Sequence, residues 1–222
     1  MAPPDSKTMT DPSPVSFVAE TLLPTERGGF RVRAYRDHVD GTEPVALVIG
    51  DVTGAEDLPV RVHDECFTSE VLGSLKCDCK DQLGFAMEHI KRRKGGVVIY
   101  LRQEGRGIGL ANKIAAYALQ EDGHDTVDAN RILGLPDDAR RYDQAAAILA
   151  DLGVRSVRLM TNNPRKVERL GAEGVEIHGR IPVLIKANSH SAGYLAAKHA
   201  RMGHQLDQAQ YVDIDELESA AG

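Results

Sequence analysis

The fold class is set by Gly96-Val-Val-Ile-Tyr-Leu101 and by the loop that follows it, Arg102-Gln-Glu-Gly-Arg-Gly-Ile-Gly109. The first stretch is a short apolar run with β-branched residues, which is typical of a strand buried in a sheet. The second stretch is rich in glycine and leads into a helical pattern at residues 109–120. A strand, a tight loop and a helix in this order indicate an α/β fold, and we predict a single domain with a mixed sheet and flanking helices.

Hydrophobic patterns on both sides of this unit predict the remaining elements. Toward the N-terminus we expect a hairpin around Thr25-Glu-Arg-Gly-Gly29 and further strands at 45–50 and 59–63. Apolar residues at helical spacing predict a helix from Gln82 to Lys94. Toward the C-terminus the predicted helices are 141–152, 164–170 and 192–202, and the predicted strands are 156–160 and 175–178.

Composition divides the chain into a folded domain and two tails. Residues 1–14 are rich in Pro, Ser, Thr and Asp and are predicted to be a disordered lead. Residues 15–206 are predicted to form the catalytic domain, and 207–222 an acidic tail. The chain of 222 residues is 42% apolar, which suffices for one hydrophobic core.

Charge and hydropathy limit the partners and the location that we expect. The formal net charge of −6 argues against a general nucleic-acid binder, which usually carries a dominant basic patch. No stretch approaches the roughly 18 apolar residues of a membrane span, and the N-terminus lacks the pattern of a signal peptide. We therefore expect a cytoplasmic protein with no nucleic-acid or membrane partner.

The cysteines of the chain indicate a metal site. Cys66, Cys77 and Cys79 are the three cysteines present, and thiolates are natural ligands of Zn²⁺. Three protein ligands leave the fourth position open, as in catalytic zinc sites, and the adjacent Glu65 is a candidate general acid/base. Two alternatives stay open: unliganded core cysteines, and structural zinc with His63 as the fourth ligand.

Two junctions between a strand and a helix are candidate anion sites. The glycine-rich loop could direct backbone amides toward an anion, with Arg102 and Arg106 adding charge. At Thr161-Asn-Asn-Pro-Arg-Lys166 a hydroxyl, amides and two cations come near another helix start. With Arg61 these groups suffice for a triphosphate accompanied by Mg²⁺. Taken alone, an ordinary turn and an ordinary N-cap explain the two stretches equally well.

Several motifs, in order along residues 16–206, resemble those of GTP cyclohydrolase II. They are Arg61-Val-His-Asp-Glu-Cys66, Cys77-Asp-Cys79 with Gln82-Leu83, Arg102-Gln-Glu-Gly-Arg-Gly-Ile-Gly-Leu110, Asn112-Lys-Ile114 with Tyr117-Ala-Leu119, and Thr161-Asn-Asn-Pro164. The resemblance implies a zinc- and Mg²⁺-assisted homodimer with one zinc per subunit, held by Cys66, Cys77 and Cys79. It also implies conversion of GTP to a diamino-ribosylamino-pyrimidinone phosphate, formate and pyrophosphate, the first committed step of riboflavin synthesis.

The same resemblance implies roles for individual residues. Nucleotide contacts would come from Arg61, Val62, His63, Asp64, Glu65, Gln82, Glu104, Gly105, Arg106, Thr126, Thr161 and Lys166. Tyr117 matches a tyrosine needed for the complete reaction, Asp138 a proposed proton acceptor, and Arg140 a proposed nucleophile on the α-phosphorus. Because a guanidinium is a poor nucleophile, an electrostatic role for Arg140 stays open. Without the resemblance, Asp138 and Arg140 would be interpreted as a solvated pair near a helix start.

Departures from the family pattern leave room for another outcome. Asp64 stands where serine is common, Lys80 where glycine is common, and Ala139 lies between Asp138 and Arg140. They leave open an altered rate, or arrest at the formamide intermediate. The short lead also predicts a monofunctional enzyme, without the fused butanone-phosphate synthase domain of some relatives.

Two rival functions remain. A zinc nucleobase deaminase shares an H-x-E motif, although the single residue between Cys77 and Cys79 does not fit its P-C-x-x-C motif. A binding module stabilised by structural zinc would lack activity and would unfold when a chelator removes the zinc.

Overall fold

The structure, a computed structural model, describes residues 13–121, 126–183 and 185. Its elements in chain order are β1 (Val15–Thr25), β2 (Gly28–Asp37), β3 (Val45–Ile49), β4 (Leu58–Asp64), α1 (Phe67–Glu70), α2 (Cys79–Arg92), β5 (Gly96–Leu101), a 3₁₀ turn (Glu104–Gly107), α3 (Leu110–Glu121), α4 (Thr126–Ile132), α5 (Asp143–Asp151), β6 (Val157–Met160), α6 (Pro164–Ala172) and β7 (Ile177–Ile181).

The strands form one seven-stranded mixed sheet in the order β1-β2-β3-β5-β4-β6-β7. Strands β1, β2, β3 and β5 pair antiparallel, whereas β5, β4, β6 and β7 pair in parallel. The predicted α/β fold with a mixed sheet is therefore confirmed. Because parallel strands end at a common edge, loops after β4, β5 and β6 meet there and can build one site.

Strand β5 shows why the central apolar run forms the middle of the sheet. Val97 and Ile99 pack into one core cluster, which also contains Ile148 of α5. Val98 faces the opposite cluster, where Ile90 of α2 packs. Both faces of β5 are covered, so the strand needs no polar side and is apolar throughout.

Element boundaries differ from the prediction in several places. Helix α2 begins at Cys79 instead of Gln82, and β7 occupies 177–181 instead of 175–178. The short helices α1 and α4 were not predicted, because one or two turns give too little periodicity to detect. The predicted helix 192–202, the tail 207–222 and most of the lead lie outside the described residues.

Within the described part of the chain, no helix is long and apolar enough to cross a membrane.

Candidate functional site

One cleft at the carboxyl ends of β4, β5 and β6 collects most of the predicted site residues. Those that line it are Arg61, His63, Asp64, Glu65, Cys66, Cys79, Gln82, Glu104, Gly105, Arg106, Tyr117, Arg140, Thr161 and Lys166. The prediction named neither Gln103 nor Lys113, which also line it. Groups distant in sequence meet here because the parallel strands end side by side.

Among the described side chains, four named in the prediction are not part of the lining: Val62, Cys77, Arg102 and Asp138. Val62 is fully buried in the core, and its carbonyl oxygen accepts a hydrogen bond from Lys166 Nζ at 2.7 Å. Thr126 begins α4, and its side chain lies outside the described part of the structure. Arg102, predicted to add charge at the anion site, instead donates from Nε to Glu65 Oε2 at 3.0 Å.

The three thiols form a compact cluster, which we call the thiol cluster. The sulfur atoms of Cys66, Cys77 and Cys79 lie within 4.8 Å of one another, and those of Cys66 and Cys77 are 3.5 Å apart. Tetrahedral zinc with Zn–S bonds of about 2.3 Å separates its thiolates by about 3.8 Å, so this spacing fits the metal. Cys66 and Cys77 are buried, and their sulfur atoms are too far apart for a disulfide bond, which requires about 2.05 Å.

Local structure favours the thiolate form in this cluster. Cys66 is the N-cap of α1, and Cys79 is the first residue of α2, so both stand at helix N-termini. Hydrogen bonds from Cys77 and Cys79 hold the pKa of Cys66 far below its usual value, and the charge of Lys113 adds to this effect. The same contact with Cys66 raises the pKa of the Cys77 thiol. The cluster therefore favours a thiolate at Cys66, whose negative charge suits a metal cation.

Lys113 connects the thiol cluster to the glycine-rich loop. Its Nζ lies 3.2 Å from Cys66 Sγ, 2.9 Å from Thr68 Oγ1 and 2.8 Å from Glu104 Oε1. Glu104 Oε2 also accepts from the backbone N–H of Phe67 at 2.6 Å. In the sequence, Lys113 could have been recognised as a cleft residue because it stands one turn before Tyr117 on α3, which puts both on one helix face.

His63 is held away from the thiol cluster. Its Nε2 lies 2.8 Å from Glu70 Oε1, while the other oxygen of Glu70 accepts from Tyr100 Oη at 2.6 Å. Burial lowers the pKa of His63, so the ring is neutral. Among the described residues the possible metal ligands in this group are the three cysteines, so the alternative of His63 as a fourth ligand has no structural support. Glu70 was missed by the sequence analysis and lies in no motif.

Asp64, Asp138, Arg140 and Lys166 form a second group, which we call the cation cluster. Asp64 Oδ2 accepts from Lys166 Nζ at 2.8 Å and from Arg140 Nη1 at 2.9 Å. Asp138 lies on the other side of Arg140 and accepts hydrogen bonds from its Nε at 2.9 Å and its Nη2 at 2.6 Å. Arg169 Nη1 also lies 3.5 Å from Asp138 Oδ1. The two carboxylates therefore partly neutralise the cations at the far end of the cleft.

The interpretation of Asp138 and Arg140 as a solvated pair near a helix start is wrong. The Arg140 side chain is only 15% exposed, and α5 begins later, at Asp143. Although burial opposes protonation, hydrogen bonds to Asp138 and the charge of Asp64 raise the pKa of Arg140 above its usual value. Burial lowers the pKa of Lys166 to about 8, with Asp64 opposing this shift.

Backbone contacts dock the glycine-rich loop onto the loop that carries Arg140. Gly107 has φ +86°, and a Cβ there would lie 2.9 Å from the carbonyl carbon of Ala139. The Ala139 N–H donates to the Arg106 carbonyl at 3.0 Å. Since this contact uses the backbone, it does not depend on the side chain at Ala139, where the chain departs from the family pattern.

Other predicted residues line the wall between the two clusters. Buried Arg61 donates from Nη1 to the Met160 carbonyl at 2.8 Å and from Nη2 to Gln82 Oε1 at 2.6 Å. The ring of Tyr117 lies 5.8 Å from Lys113 Nζ, on the side of the thiol cluster.

The second junction is also an ordinary helix start. Asn163 caps α6 by accepting from Arg165 N at 3.0 Å, while the neighbouring Thr161 lines the cleft.

Comparisons with known proteins agree on a family. The family model described as GTP cyclohydrolase II matches residues 16–182. The riboflavin biosynthesis protein RibBA of Salinispora arenicola is 50% identical over 200 residues, which is 90% of this chain and 48% of that protein. RibBA of Bacillus subtilis is 51% identical over 188 residues, 84% of this chain and 47% of that protein. This chain therefore spans about half the length of the curated relatives it matches.

Among solved structures, a crystal structure of RibBX from A. baumannii, a two-domain 3,4-dihydroxy-2-butanone 4-phosphate synthase, aligns with a TM-score of 0.41. The two sequences are 22% identical, and the alignment covers 69% of this chain and 36% of the RibBX chain.

Proposed function

The chain belongs to the GTP cyclohydrolase II family, and on that premise we propose that it hydrolyses GTP, opening the guanine imidazole ring. The products are formate, pyrophosphate and 2,5-diamino-6-ribosylamino-4(3H)-pyrimidinone 5′-phosphate, in the first committed step of riboflavin biosynthesis. The observation that carries this proposal is a single cleft with a thiol cluster at one end and a cation cluster at the other. A purine nucleotide presents a carbon to be hydrolysed and a phosphate chain to be held, which matches the two ends.

At the thiol end, Cys66, Cys77 and Cys79 would hold zinc, which supplies Lewis acidity and lowers the pKa of water when bound. Lys113 keeps the first cysteine in its thiolate form, with its ammonium 3.2 Å from the sulfur. Glu65 lines the cleft beside that cysteine and is the group we assign to proton transfer during ring opening. Its contact with Arg102 orients the carboxylate.

Tyr117 lies on the same side, and we assign to it the second hydrolysis, which releases formate from the formamide.

At the cation end, Lys166, Arg106 and Arg140 line the cleft and provide positive charge for the phosphates, with Mg²⁺ accompanying the triphosphate. The glycine-rich loop contributes the side chain of Arg106, whereas its amides are mostly used within the loop: Gly105 N–H donates to Glu104 Oε1 at 2.7 Å, and Gly109 N–H donates to the Glu104 carbonyl at 3.0 Å. The expectation that these amides face an anion is therefore wrong for Gly105 and Gly109. Arg61 positions the wall between the two ends through Gln82. The remaining predicted contacts, at His63 and Thr161, line the same cleft.

We assign Arg140 an electrostatic role and not a nucleophilic one. A guanidinium attacks phosphorus only after losing a proton, whereas three hydrogen bonds to Asp138 and Asp64 stabilise its protonated form. A cation held at a fixed place near the α-phosphorus can stabilise the charge that develops during phosphoryl transfer. Rapid quench of a reacting sample should yield no phosphoamide adduct on Arg140, and recovery of that adduct would contradict the assignment.

The proposed activity is tested by incubating purified, zinc-loaded protein with GTP and Mg²⁺ and measuring purine absorbance, formate and ammonia. Loss of purine absorbance with formate release is expected. Ammonia without formate would support the deaminase instead, and ring opening without formate would mean arrest at the formamide. Chelation should abolish turnover while circular dichroism shows a retained fold, whereas unfolding on chelation without prior activity would support the binding module.

We also propose a cytoplasmic homodimer, as the family resemblance implies. Large apolar side chains are exposed on α3 and at the C-terminal end of α4, which supports an association surface there. They are Leu110, Ile114, Ile132 and Leu133. Sedimentation equilibrium tests the homodimer, because a dimer has twice the chain mass of 24.1 kDa.

A further inference from the structure

A single carboxylate oxygen serves both buried cations of the cation cluster. Asp64 Oδ2 lies 2.8 Å from Lys166 Nζ and 2.9 Å from Arg140 Nη1. The same oxygen is 3.4 Å from the hydroxyl of Tyr142, and Oδ1 is 3.4 Å from Gln103 Nε2. Asp64 is thus held mainly by the two charges that it neutralises.

Lys166 depends on this carboxylate more than Arg140 does. The Lys166 side chain is 5% exposed, and its other hydrogen-bond acceptor is the neutral carbonyl of Val62. Arg140 has a second carboxylate, Asp138, which accepts from Nε and Nη2 and leaves Nη1 to Asp64. A buried ammonium without a counter-ion is costly, so Lys166 needs either Asp64 or another anion in its place.

We propose that Asp64 is the internal counter-ion of the phosphate site, which a substrate phosphate must displace from Lys166 and Arg140 in order to bind. The inference rests on the proposed function, since it takes the ligand of these cations to be a nucleotide phosphate. Asp64 is then a positioning residue: it holds both cations in place before substrate binds, and it lowers the affinity for anions by competing with them.

The effect has a definite sign. Attraction between the two cations and an incoming anion is reduced by the negative charge less than 3 Å from both cations. Replacing the carboxylate with the nearly isosteric amide in Asp64→Asn removes that charge while retaining the shape. Inorganic pyrophosphate should then bind about tenfold more tightly, because the cost of burying the anion offsets part of the electrostatic gain.

Titration calorimetry with inorganic pyrophosphate on the full chain measures this effect, in buffer without Mg²⁺. Asp151→Asn is a matched control: Asp151 also pairs with an arginine, Arg33 Nη2 at 2.9 Å, but lies outside the cleft. We expect tighter binding in Asp64→Asn and no change in Asp151→Asn. The melting temperature of Asp64→Asn should be lower than that of the wild type without pyrophosphate and should rise more when pyrophosphate is added. Asp64→Ser provides a second variant without the charge, in case the amide folds poorly.

Unchanged or weaker pyrophosphate binding in both Asp64 variants, in a protein that turns over GTP, would overturn this inference and leave the proposed function intact. In that case Asp64 would only position the cations. A wild-type protein that neither binds pyrophosphate nor turns over GTP would overturn the proposed function and this inference together.

Discussion

At the thiol end of the cleft a lysine lies among sulfur atoms and a carboxylate, whereas at the cation end carboxylates lie on both sides of an arginine and beside a lysine. Two groups of different charge therefore lie at the same edge of the sheet. The thiol end holds more negative groups than positive ones and suits a metal cation. At the cation end Asp64 and Asp138 partly neutralise the cations, so the affinity for an anion depends on how readily a carboxylate is displaced.

Removal of one sulfur atom from the thiol cluster should have the largest effect on zinc binding and turnover. Cys77→Ser replaces a soft ligand with a poor one, so we expect loss of bound zinc and at least a roughly thousandfold drop in turnover. Metal analysis and formate release measure the two quantities. Pyrophosphate affinity should stay unchanged, because the cation cluster is intact. Full turnover in a zinc-free Cys77→Ser protein would contradict the assignment of the metal site.

The cation end should respond strongly to the loss of a planar guanidinium. Arg140→Lys keeps the charge but cannot bind Asp138 through two nitrogens, and we expect kcat to fall about a hundredfold. Zinc content should be retained. Arg155→Lys changes an exposed pair with Glu56 and serves as the control, with unchanged kcat expected. Equal losses in both variants would mean that the effect is not specific to the cleft.

A smaller effect is expected when the lysine of the thiol end is removed. Lys113→Gln takes away the ammonium that stabilises the Cys66 thiolate, so zinc affinity should fall about tenfold. Competition with a chromophoric chelator measures this affinity. Lys91→Gln, on the exposed side of α2 beside Glu88, should leave it unchanged. An unaltered zinc affinity in Lys113→Gln would show that the lysine serves Glu104 instead.

The smallest effect should appear in the pH dependence of the cation end. Lys166 loses its proton near pH 8 in the folded protein, well below its unfolded value of about 10.4, so its charge declines above pH 8. The KM for GTP should therefore rise several-fold between about pH 7 and 9. Because the unfolded chain binds the extra proton, this residue's contribution to stability rises with pH between about 8 and 10.4.

Lys166→Arg should remove that step in KM, since arginine stays charged throughout the range. A step that persists unchanged in this variant would assign the titration to another group.

The parts of the site that the sequence could predict are those encoded locally. The buried strand β5 is a continuous apolar run, and Cys77 and Cys79 are close in sequence, so the fold class and the thiol cluster follow from the residue order. Contacts such as Lys113 with Cys66 and Lys166 with Asp64 join residues far apart in the chain. They depend on which parallel strands are neighbours, and residue spacing does not encode this.

Without the family resemblance, the residue pattern misjudged the burial of Arg140 for a related reason. Arg140 lies in an irregular segment between α4 and α5, where charged residues usually face solvent. The docking of Gly107 against Ala139 instead holds this segment against the glycine-rich loop, and the Arg140 side chain is only 15% exposed. This contact is apparent only when both loops are placed. Glu70 on the single-turn α1 escaped detection because so short a helix shows no periodicity.

The most direct test of the account is the ratio of formate to pyrophosphate released from GTP by the zinc-loaded protein with Mg²⁺. Both ends of the cleft must act on the same nucleotide if the account is correct, so it predicts one formate and one pyrophosphate for each GTP consumed, with both lost in Cys77→Ser. Pyrophosphate released without formate by the zinc-loaded wild type, or a GTP concentration that does not change, would contradict it.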